Sequence, residues 1–264
     1  MSDQSPKGPE NVIARHCLRV RDPAEQVDFY CKVLGMRNFG TADEPLLGYD
    51  SEQCLLELLD GADEPYVART DGLYWKIGIT LRDLDHAVNH LKQSGLAVSE
   101  PRQFGDIGYM SHLRDPAGFA IELLQHGFKG RAQPAGTGHP VGGQATLAHI
   151  TLRVNDIAAA RADLEGRLGM RLISVQPVTD YGFCLYFFCW SDEVLPDPDL
   201  ESVANREWLW ARPYALLELQ HVPGGTISEP DSGRDEAGFA GFGWRSDIGG
   251  SRHYLRPDDM LGWL

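Results

Sequence analysis

One short phrase occurs twice in this chain, and its recurrence constrains the fold more than any other feature. Residues 18–36 and 152–170 both begin with an alternating apolar run that ends at an aspartate, and both close on Leu-Gly-Met. The matching positions keep a constant offset of 134 residues, as from Asp22 to Asp156. An alternating run followed by an amphipathic stretch that stops at glycine is typical of a strand followed by a helix. The sequence therefore predicts a duplicated module.

The same pattern identifies a further copy between these two. Residues 73–83 alternate and close on Asp83, and residues 84–94 carry apolar side chains at helical spacing before Gly95. Each full copy then ends on an apolar strand that carries a single acid, which is Glu57, Glu122 or Glu218. Three acids at equivalent positions favour a shared role over chance placement on an exposed edge. A carboxylate among aliphatic neighbours needs a cation or a metal beside it.

The third and fourth copies depart from the pattern. The third contains an insertion at residues 191–212, before its last strand. A fourth copy opens at residues 238–244, but no amphipathic helix follows it. We therefore expect three modules of strand, helix and three strands, and a truncated fourth module. The unfinished sheet predicts an open strand edge and self-association, with a homodimer as one possibility.

Charge and composition limit the partners of the chain. Its net charge is −14 and it has no cluster of Lys or Arg, which disfavours nucleic acid and anionic membranes as partners. The polar first residues and the lack of a long apolar run predict neither a signal peptide nor a membrane span. Five cysteines without C-x-x-C spacing favour reduced thiols in the cytoplasm. We expect a cytoplasmic protein that binds a small molecule.

Three stretches of the sequence resemble the vicinal oxygen chelate superfamily, which includes glyoxalase I, bleomycin resistance proteins and extradiol dioxygenases. They are residues 18–36, residues 113–123 (LRDPAGFAIEL) and residues 149–156 (HITLRVND). The resemblance implies an α+β fold in which repeated βαβββ modules pair. We expect two paired-module, glyoxalase-like domains, with modules one and two in residues 11–126, a linker at 127–145, and an incomplete second domain in residues 146–264.

The resemblance also implies where a metal would bind. In this family a module contributes one ligand from its first strand, usually His or Gln, and one Glu from its last strand, and two modules combine around one divalent ion. The first-strand position lies seven residues before the strand-ending aspartate. Counting back gives Arg15, Lys76 and His149 for the three full modules. His16 lies one residue late, and a shift of one residue turns a side chain to the opposite face of a strand. Unless a bulge intervenes, we therefore expect His16 to face away from the metal position, and the alternative to a ligand is a hydrogen-bonded histidine between sheet and helix.

The ligand set depends on which modules pair. Modules one and two would combine two cations with two acids in place of a metal, namely Arg15, Glu57, Lys76 and Glu122. Modules two and three would give a three-ligand metal site of Glu122, His149 and Glu218, with the Lys76 ammonium beside it. In that case we expect Fe, Ni, Zn or Mn as the cofactor, a proton transfer by Glu122 or Glu218, and an oxyanion stabilised by Lys76.

Substrate contacts are predicted at five positions, namely Arg15, Glu57, Arg153, Tyr109 and His112. Arg153 matches the arginine that helps to hold glutathione in glyoxalase I. Other expected glutathione contacts are replaced by Val222, Ala237 and Gly241, so lactoylglutathione is not the expected substrate.

The sequence therefore predicts a metal-dependent lyase or isomerase, or a ring-cleaving dioxygenase, that works through an enediolate or a catecholate. Two alternatives remain open. The chain could be a metal-free member of the family that binds or isomerises an anionic small molecule. It could also be a sequestering protein of the bleomycin-resistance kind, for which the acidic composition would suit a cationic ligand.

Overall fold

The computed structural model describes residues 11–136, 138–227, 236–246 and 252–264. Three stretches repeat the order strand, helix, three strands. The first consists of β1 (Asn11–Arg19), α1 (Pro23–Asp28) with a π-helical turn (Phe29–Val33), β2 (Arg37–Asn38), β3 (Leu46–Gly48) and β4 (Leu55–Leu59). The second consists of β5 (Tyr74–Leu81), α2 (Leu84–Gln93), β6 (Arg102–Phe104), β7 (Gly108–Arg114) and β8 (Ala120–Gln125).

The third stretch is longer, as its sequence predicts. It consists of β9 (Thr146–Val154), α3 (Ile157–Arg161) with a π-helical turn (Ala162–Arg167), β10 (Arg171–Val178), a 3₁₀ turn (Thr179–Tyr181), β11 (Phe183–Cys189), α4 (Ala204–Trp210) and β12 (Leu216–His221). The fragment consists of β13 (Gly238–Ser246), β14 (Arg252–Leu255) and a 3₁₀ helix (Pro257–Trp263). The predicted α+β class with βαβββ modules is confirmed.

The repeated aspartates and glycines have the same local role in each module. The carboxylates of Asp22, Asp83 and Asp156 each accept a hydrogen bond from the backbone N–H three residues later, so each aspartate caps the start of a helix. Gly35 and Gly169 follow the helices with φ angles of 74° and 67°, a left-handed conformation that favours glycine. The recurring phrase therefore encodes both ends of the helix.

The strands form two sheets. The smaller has the order β14-β13-β1-β4-β3-β2, and the larger has the order β10-β11-β12-β9-β5-β8-β7-β6. The first strands of modules two and three, β5 and β9, pair antiparallel, and so do β1 of module one and β13 of the fragment. Modules two and three therefore share one sheet, and module one shares the other with the fragment.

This pairing does not follow the predicted division at residues 127–145, in which each half of the chain would form its own domain. Every residue of β9 is buried, so this strand needs neighbours on both edges and lies in the middle of the larger sheet. The fragment, in turn, covers an edge of β1. Its outer strand β14 forms one edge of the smaller sheet, and self-association there stays a prediction.

The helices pack one face against the sheets. The predicted apolar face of α2 is buried and consists of Leu84, Ala87, Val88 and Leu91. No helix within the described ranges combines the length and apolarity needed to cross a bilayer.

The insertion forms α4, and the Trp210 indole N–H donates to the Ile107 carbonyl at 2.9 Å. An ion pair between Arg206 and Asp106 holds the same helix against the loop between β6 and β7.

Candidate metal centre and its cavity

Four neighbouring strands in the middle of the larger sheet bring together the predicted first-strand and last-strand residues of modules two and three. In sheet order, β12 carries Glu218, β9 carries His149, β5 carries Lys76 and β8 carries Glu122. All four side chains are buried. The pairing of β5 with β9 is what joins the two halves of this site, because it places the first strands of both modules side by side.

His149 stands between the two carboxylates. Its Nε2 atom lies 3.2 Å from Oε1 of Glu122 and 3.2 Å from Oε2 of Glu218. One nitrogen or carboxylate oxygen from each residue lies within 4.8 Å of the other two. One imidazole and two carboxylates are a donor set that suits divalent ions such as Zn, Fe, Ni and Mn.

The hydrogen bonds of this cluster are incomplete. Within the described residues, neither ring nitrogen of His149 has a partner in hydrogen-bonding geometry, although the residue is 1 % exposed and Nε2 lies 3.2 Å from an oxygen of each carboxylate. Thr151 donates to Oε2 of Glu218 at 2.9 Å, but Oε1 of Glu218 has no partner in the same part of the chain. Buried polar atoms without partners cost about 1–3 kcal/mol each. A cation bound among these three residues would satisfy Nε2 of His149 and Oε1 of Glu218, although not Nδ1 of His149, so the donors fit a metal.

Lys76 is the cation that the structure itself provides. Its Nζ atom lies 2.7 Å from Oε2 of Glu122 and 3.7 Å from Oε2 of Glu218. Burial opposes the charged form of Lys76, but the two carboxylates outweigh it and raise the pKa of the ammonium above its ordinary value. Nζ also lies 4.7 Å from the centre of the Trp75 ring, within cation–π range.

Glu122 is the acid that lies closer to Lys76, and it also contacts His112. Besides Lys76, Nε2 of His112 lies 3.0 Å from its Oε2 atom. Burial would raise the pKa of Glu122, but the Lys76 ammonium and the His112 hydrogen bond outweigh burial and hold the pKa well below its usual range. Glu122 therefore remains a carboxylate at neutral pH.

Gly78 explains how the His149 ring fits between the strands. These two residues are partners in the pairing of β5 with β9. A Cβ atom at position 78 would stand 1.9 Å from Cε1 and 2.1 Å from Nε2 of His149, so only glycine leaves room for the ring. The sequence gives no direct sign of this contact, because it depends on which strand lies next to β5.

A cavity of about 180 Å³ opens beside the cluster. Lys76, Glu122, His112 and Glu218 line one part of it, and aromatic side chains form much of the remaining wall. Trp210, from the insertion, is one of these aromatics, and its ring centroid lies 6.0 Å from that of His149. The insertion has no counterpart in the other modules, so the repeat pattern could not assign it to the site.

Of the other predicted substrate contacts, His112 lines the cavity and Tyr109 does not. The Tyr109 hydroxyl instead donates to Asp85 at 2.7 Å, on the helix side of the sheet. Arg153 lies near the site, 5.0 Å from the centre of the Trp75 ring, but its Nε and Nη1 atoms are engaged. It donates to Gln220 and to the carbonyl oxygens of Arg69, Gly72 and Tyr74.

Arg15 and Glu57 lie in the smaller sheet, away from the cluster. The Nε atom of Arg15 is 3.9 Å from Oε2 of Glu57, and 25 % of the Glu57 side chain is exposed. The predicted combination of Arg15, Glu57, Lys76 and Glu122 in one cradle is therefore wrong, because modules one and two do not share a sheet. Within the described ranges, Arg15 and Glu57 pair weakly with each other.

His16 is fully buried beside the rings of Tyr74 and Phe239, with centroid distances of 5.5 and 5.8 Å. We expected a hydrogen-bonded histidine as the alternative to a ligand, but neither ring nitrogen has a partner within the described residues. Burial lowers the pKa of His16 to about 3, so the ring is neutral at physiological pH.

Known proteins resemble the chain in both sequence and fold. The sequence model of the Glyoxalase/Bleomycin resistance protein/Dioxygenase superfamily matches residues 12–123. Lactoylglutathione lyases from Escherichia coli O157:H7 and Shigella flexneri are each 29% identical over 129 residues, which cover 43% of this chain and 92% of each relative. Glyoxalase I from Zea mays superposes with a TM-score of 0.63 at 19% identity, over 90% of this chain and 75% of that chain. At that identity the structural likeness concerns the fold.

Proposed function

We propose that this chain is a member of the Glyoxalase/Bleomycin resistance protein/Dioxygenase superfamily, whose sequence model matches residues 12–123. As such it would be a metal-dependent lyase or isomerase, or a ring-cleaving dioxygenase, acting on a small molecule with two neighbouring oxygens. Glu122, His149 and Glu218 are the proposed metal ligands. The observation that carries the proposal is the fully buried His149, which faces two carboxylates and has no hydrogen bond on either nitrogen from any described residue.

A bound divalent ion would polarise the two substrate oxygens and stabilise the negative charge of an enediolate or a catecholate. The protein residues would do the remaining work. The proposed role of Lys76 is to stabilise developing negative charge on a substrate oxygen, since its ammonium borders the same cavity as both acids.

Glu218 is the better candidate for proton transfer. The low pKa of Glu122 makes it a weak base, because Lys76 and His112 stabilise its charged form. Glu218 lies farther from the ammonium. Its Oε1 atom has no partner where the chain is described, and it can accept a proton from a substrate carbon or hydroxyl.

A metal-free function is the second candidate, and the ion pair between Lys76 and Glu122 favours it. At 2.7 Å the ammonium already neutralises one proposed ligand, and it occupies the first-strand position at which the family usually has a neutral ligand. In that case the cavity would bind or isomerise an anionic small molecule without a metal.

The substrate named for the curated relatives, lactoylglutathione, is one compound to assay. The engagement of Nε and Nη1 of Arg153 within the protein does not favour it, since this arginine is the predicted glutathione contact. We propose, as the sequence suggests, a cytoplasmic protein whose partner is a small molecule.

Elemental analysis of purified protein separates the two candidates. The wild type and the variants His149→Ala and His16→Ala would be purified together, freed of weakly bound metal and analysed. The metal-dependent function predicts about one divalent ion per chain in the wild type and in His16→Ala, and none in His149→Ala. A wild type that contains no ion, even after incubation with Fe, Ni, Zn or Mn, would favour the metal-free function.

A further inference from the structure

The cavity beside Glu122 has two chemically different regions. Its acids and Lys76 form a charged part, while aliphatic residues and six aromatic side chains line the rest of the space. The aromatics are Trp75, Phe104, Tyr181, Phe183, Phe187 and Trp210. The volume of about 180 Å³ is below the roughly 300–1,000 Å³ typical of sites for drug-sized ligands. The wall therefore suits a flat, apolar body of about one ring.

Arg102 is a solvent-exposed cation in the lining of this cavity, and it has no anionic partner among the residues that the structure describes. It lies on the edge strand β6, and its guanidinium is 5.3 Å from the centre of the Phe104 ring. Lys76 and His112, the other basic residues of the lining, both contact Glu122. Within the part of the chain that the structure describes, no carboxylate or carbonyl oxygen accepts from Arg102. Its five N–H donors are thus available to a ligand.

Arg37 in module one has the same local sequence and ring contact as Arg102, but its guanidinium also makes a hydrogen bond within the protein. The sequence reads R-N-F-G at residues 37–40 and R-Q-F-G at residues 102–105. Arg37 lies 4.8 Å from the centre of the Phe39 ring, but it also donates to the Tyr49 carbonyl at 3.0 Å. Arg37 lies in the smaller sheet and does not line this cavity. The R-x-F-G sequence alone therefore does not leave an arginine without a hydrogen-bond partner, as the guanidinium of Arg102 is left among the described residues.

The distance between Arg102 and the acids is suitable for one small ligand. Arg102 pairs with Met110, which pairs with Leu124, two residues along β8 from Glu122. Standard strand spacing and rise place the backbones of Arg102 and Glu122 roughly 12 Å apart. Both side chains line the cavity, so the space between their ends is shorter than this.

We infer that the cavity binds a small aromatic molecule with two neighbouring oxygens at the end near Glu122 and Glu218 and a carboxylate, or a similar anionic group, held by Arg102. The oxygen end of this ligand rests on the proposed function. The anionic group of the ligand is inferred from Arg102 alone and does not depend on the proposed function.

The net charge of the whole chain favours a cationic ligand and not an anionic one, but this charge acts at longer range than Arg102. A net charge of −14 would attract cationic ligands. Exposed charges farther than about 8 Å are largely screened at physiological salt, whereas a guanidinium in contact with the ligand is not. The local cation therefore decides which ligand the cavity accepts.

Isothermal titration calorimetry with 3,4-dihydroxybenzoate and its neutral methyl ester tests the role of Arg102. The wild type should bind the acid about tenfold more tightly than the ester, which corresponds to about 1.4 kcal/mol. In Arg102→Ala the two affinities should agree within about twofold, while the control Arg37→Ala should keep the wild-type preference. Equal affinities in the wild type, a preserved preference in Arg102→Ala, or no binding of the acid at millimolar concentration would overturn the inference.

A second pair of probes, 4-methylbenzoate and its methyl ester, lacks the neighbouring oxygens. If the acid is preferred in both pairs but the oxygens add no affinity, the proposed metal chemistry fails and the assignment of Arg102 stands. If the oxygens add affinity but neither acid is preferred over its ester, the assignment of Arg102 fails and the proposed function stands.

Discussion

The His149 ring lies directly over Gly78, so close that a Cβ atom at position 78 would stand 1.9 Å from Cε1 of the imidazole. The position of the histidine thus depends on a residue that has no side chain. Phe187 and Trp210 border the ring on other sides, with centroid distances of 6.5 and 6.0 Å. Since Nδ1 has no hydrogen-bond partner in the described ranges, packing holds this proposed ligand in place.

We therefore expect Gly78→Ala to displace His149 and to weaken metal binding at least tenfold. The added methyl group should also cost about 1–3 kcal/mol of stability, as is usual for overpacking. Gly238→Ala is the matched control, because Gly238 also lies in a strand and an added Cβ would meet nothing within 4 Å. Metal titration and urea unfolding would measure both effects. Wild-type metal affinity in folded Gly78→Ala would show that Gly78 does not position the ring.

Lys76→Met should make the protein depend on metal for its stability. The substitution leaves two buried carboxylates without their ammonium, which typically costs about 3–5 kcal/mol. In chelator-treated protein we expect a loss of this size, largely recovered when Zn²⁺ or Mn²⁺ is added. Lys32→Met removes an exposed pair with Asp28 and should change stability by less than about 1 kcal/mol. A stable Lys76→Met protein that does not respond to metal would contradict this account of the cluster.

Arg15→Ala should have a small effect. Its Nε atom is 3.9 Å from the partly exposed carboxylate of Glu57, and pairs of this kind contribute about 0–1 kcal/mol. A loss of 3 kcal/mol or more in urea unfolding would mean that Glu57 depends on Arg15 as Glu122 depends on Lys76. Such a result would restore the sequence prediction that both acids need a cation.

His16 should make stability fall with decreasing pH. Its folded pKa of about 3 is below the ordinary value of 6.5, so the unfolded chain binds the proton first. The contribution is fully present above pH 6.5 and is lost as the pH falls toward 3, at about 1.4 kcal/mol per unit. Between pH 7.5 and 5 the wild type should lose about 2 kcal/mol more than His16→Phe. If the free energy of unfolding changed equally with pH in the two proteins, a neutral buried His16 ring would be ruled out.

The sequence predicted the positions within each module better than it predicted the pairing of modules. Counting seven residues back from Asp83 and Asp156 located Lys76 and His149, because side chains alternate regularly along a strand and the aspartate that caps the helix fixes the count. The acids at the module ends were visible as single charges in apolar strands. These features are local, so a single sequence records them.

The remaining features depend on contacts between distant parts of the chain. Modules two and three pair through β5 and β9, and the amino-acid sequence of neither strand indicates which strand lies beside it. The role of Gly78 follows from that pairing. Trp210 lies in an insertion that no other module repeats, and Arg102 differs from Arg37 only in its surroundings.

A crystal structure of the protein loaded with Zn²⁺ or Mn²⁺, measured at the absorption edge of the metal, is the most direct test of the central claim. We predict one strong anomalous peak, about 2.0–2.3 Å from Nε2 of His149 and from an oxygen of both Glu122 and Glu218. The same peak should be absent from crystals of His149→Ala. A fully loaded crystal with no peak among these three residues, or with its metal only on the surface, would contradict the claim.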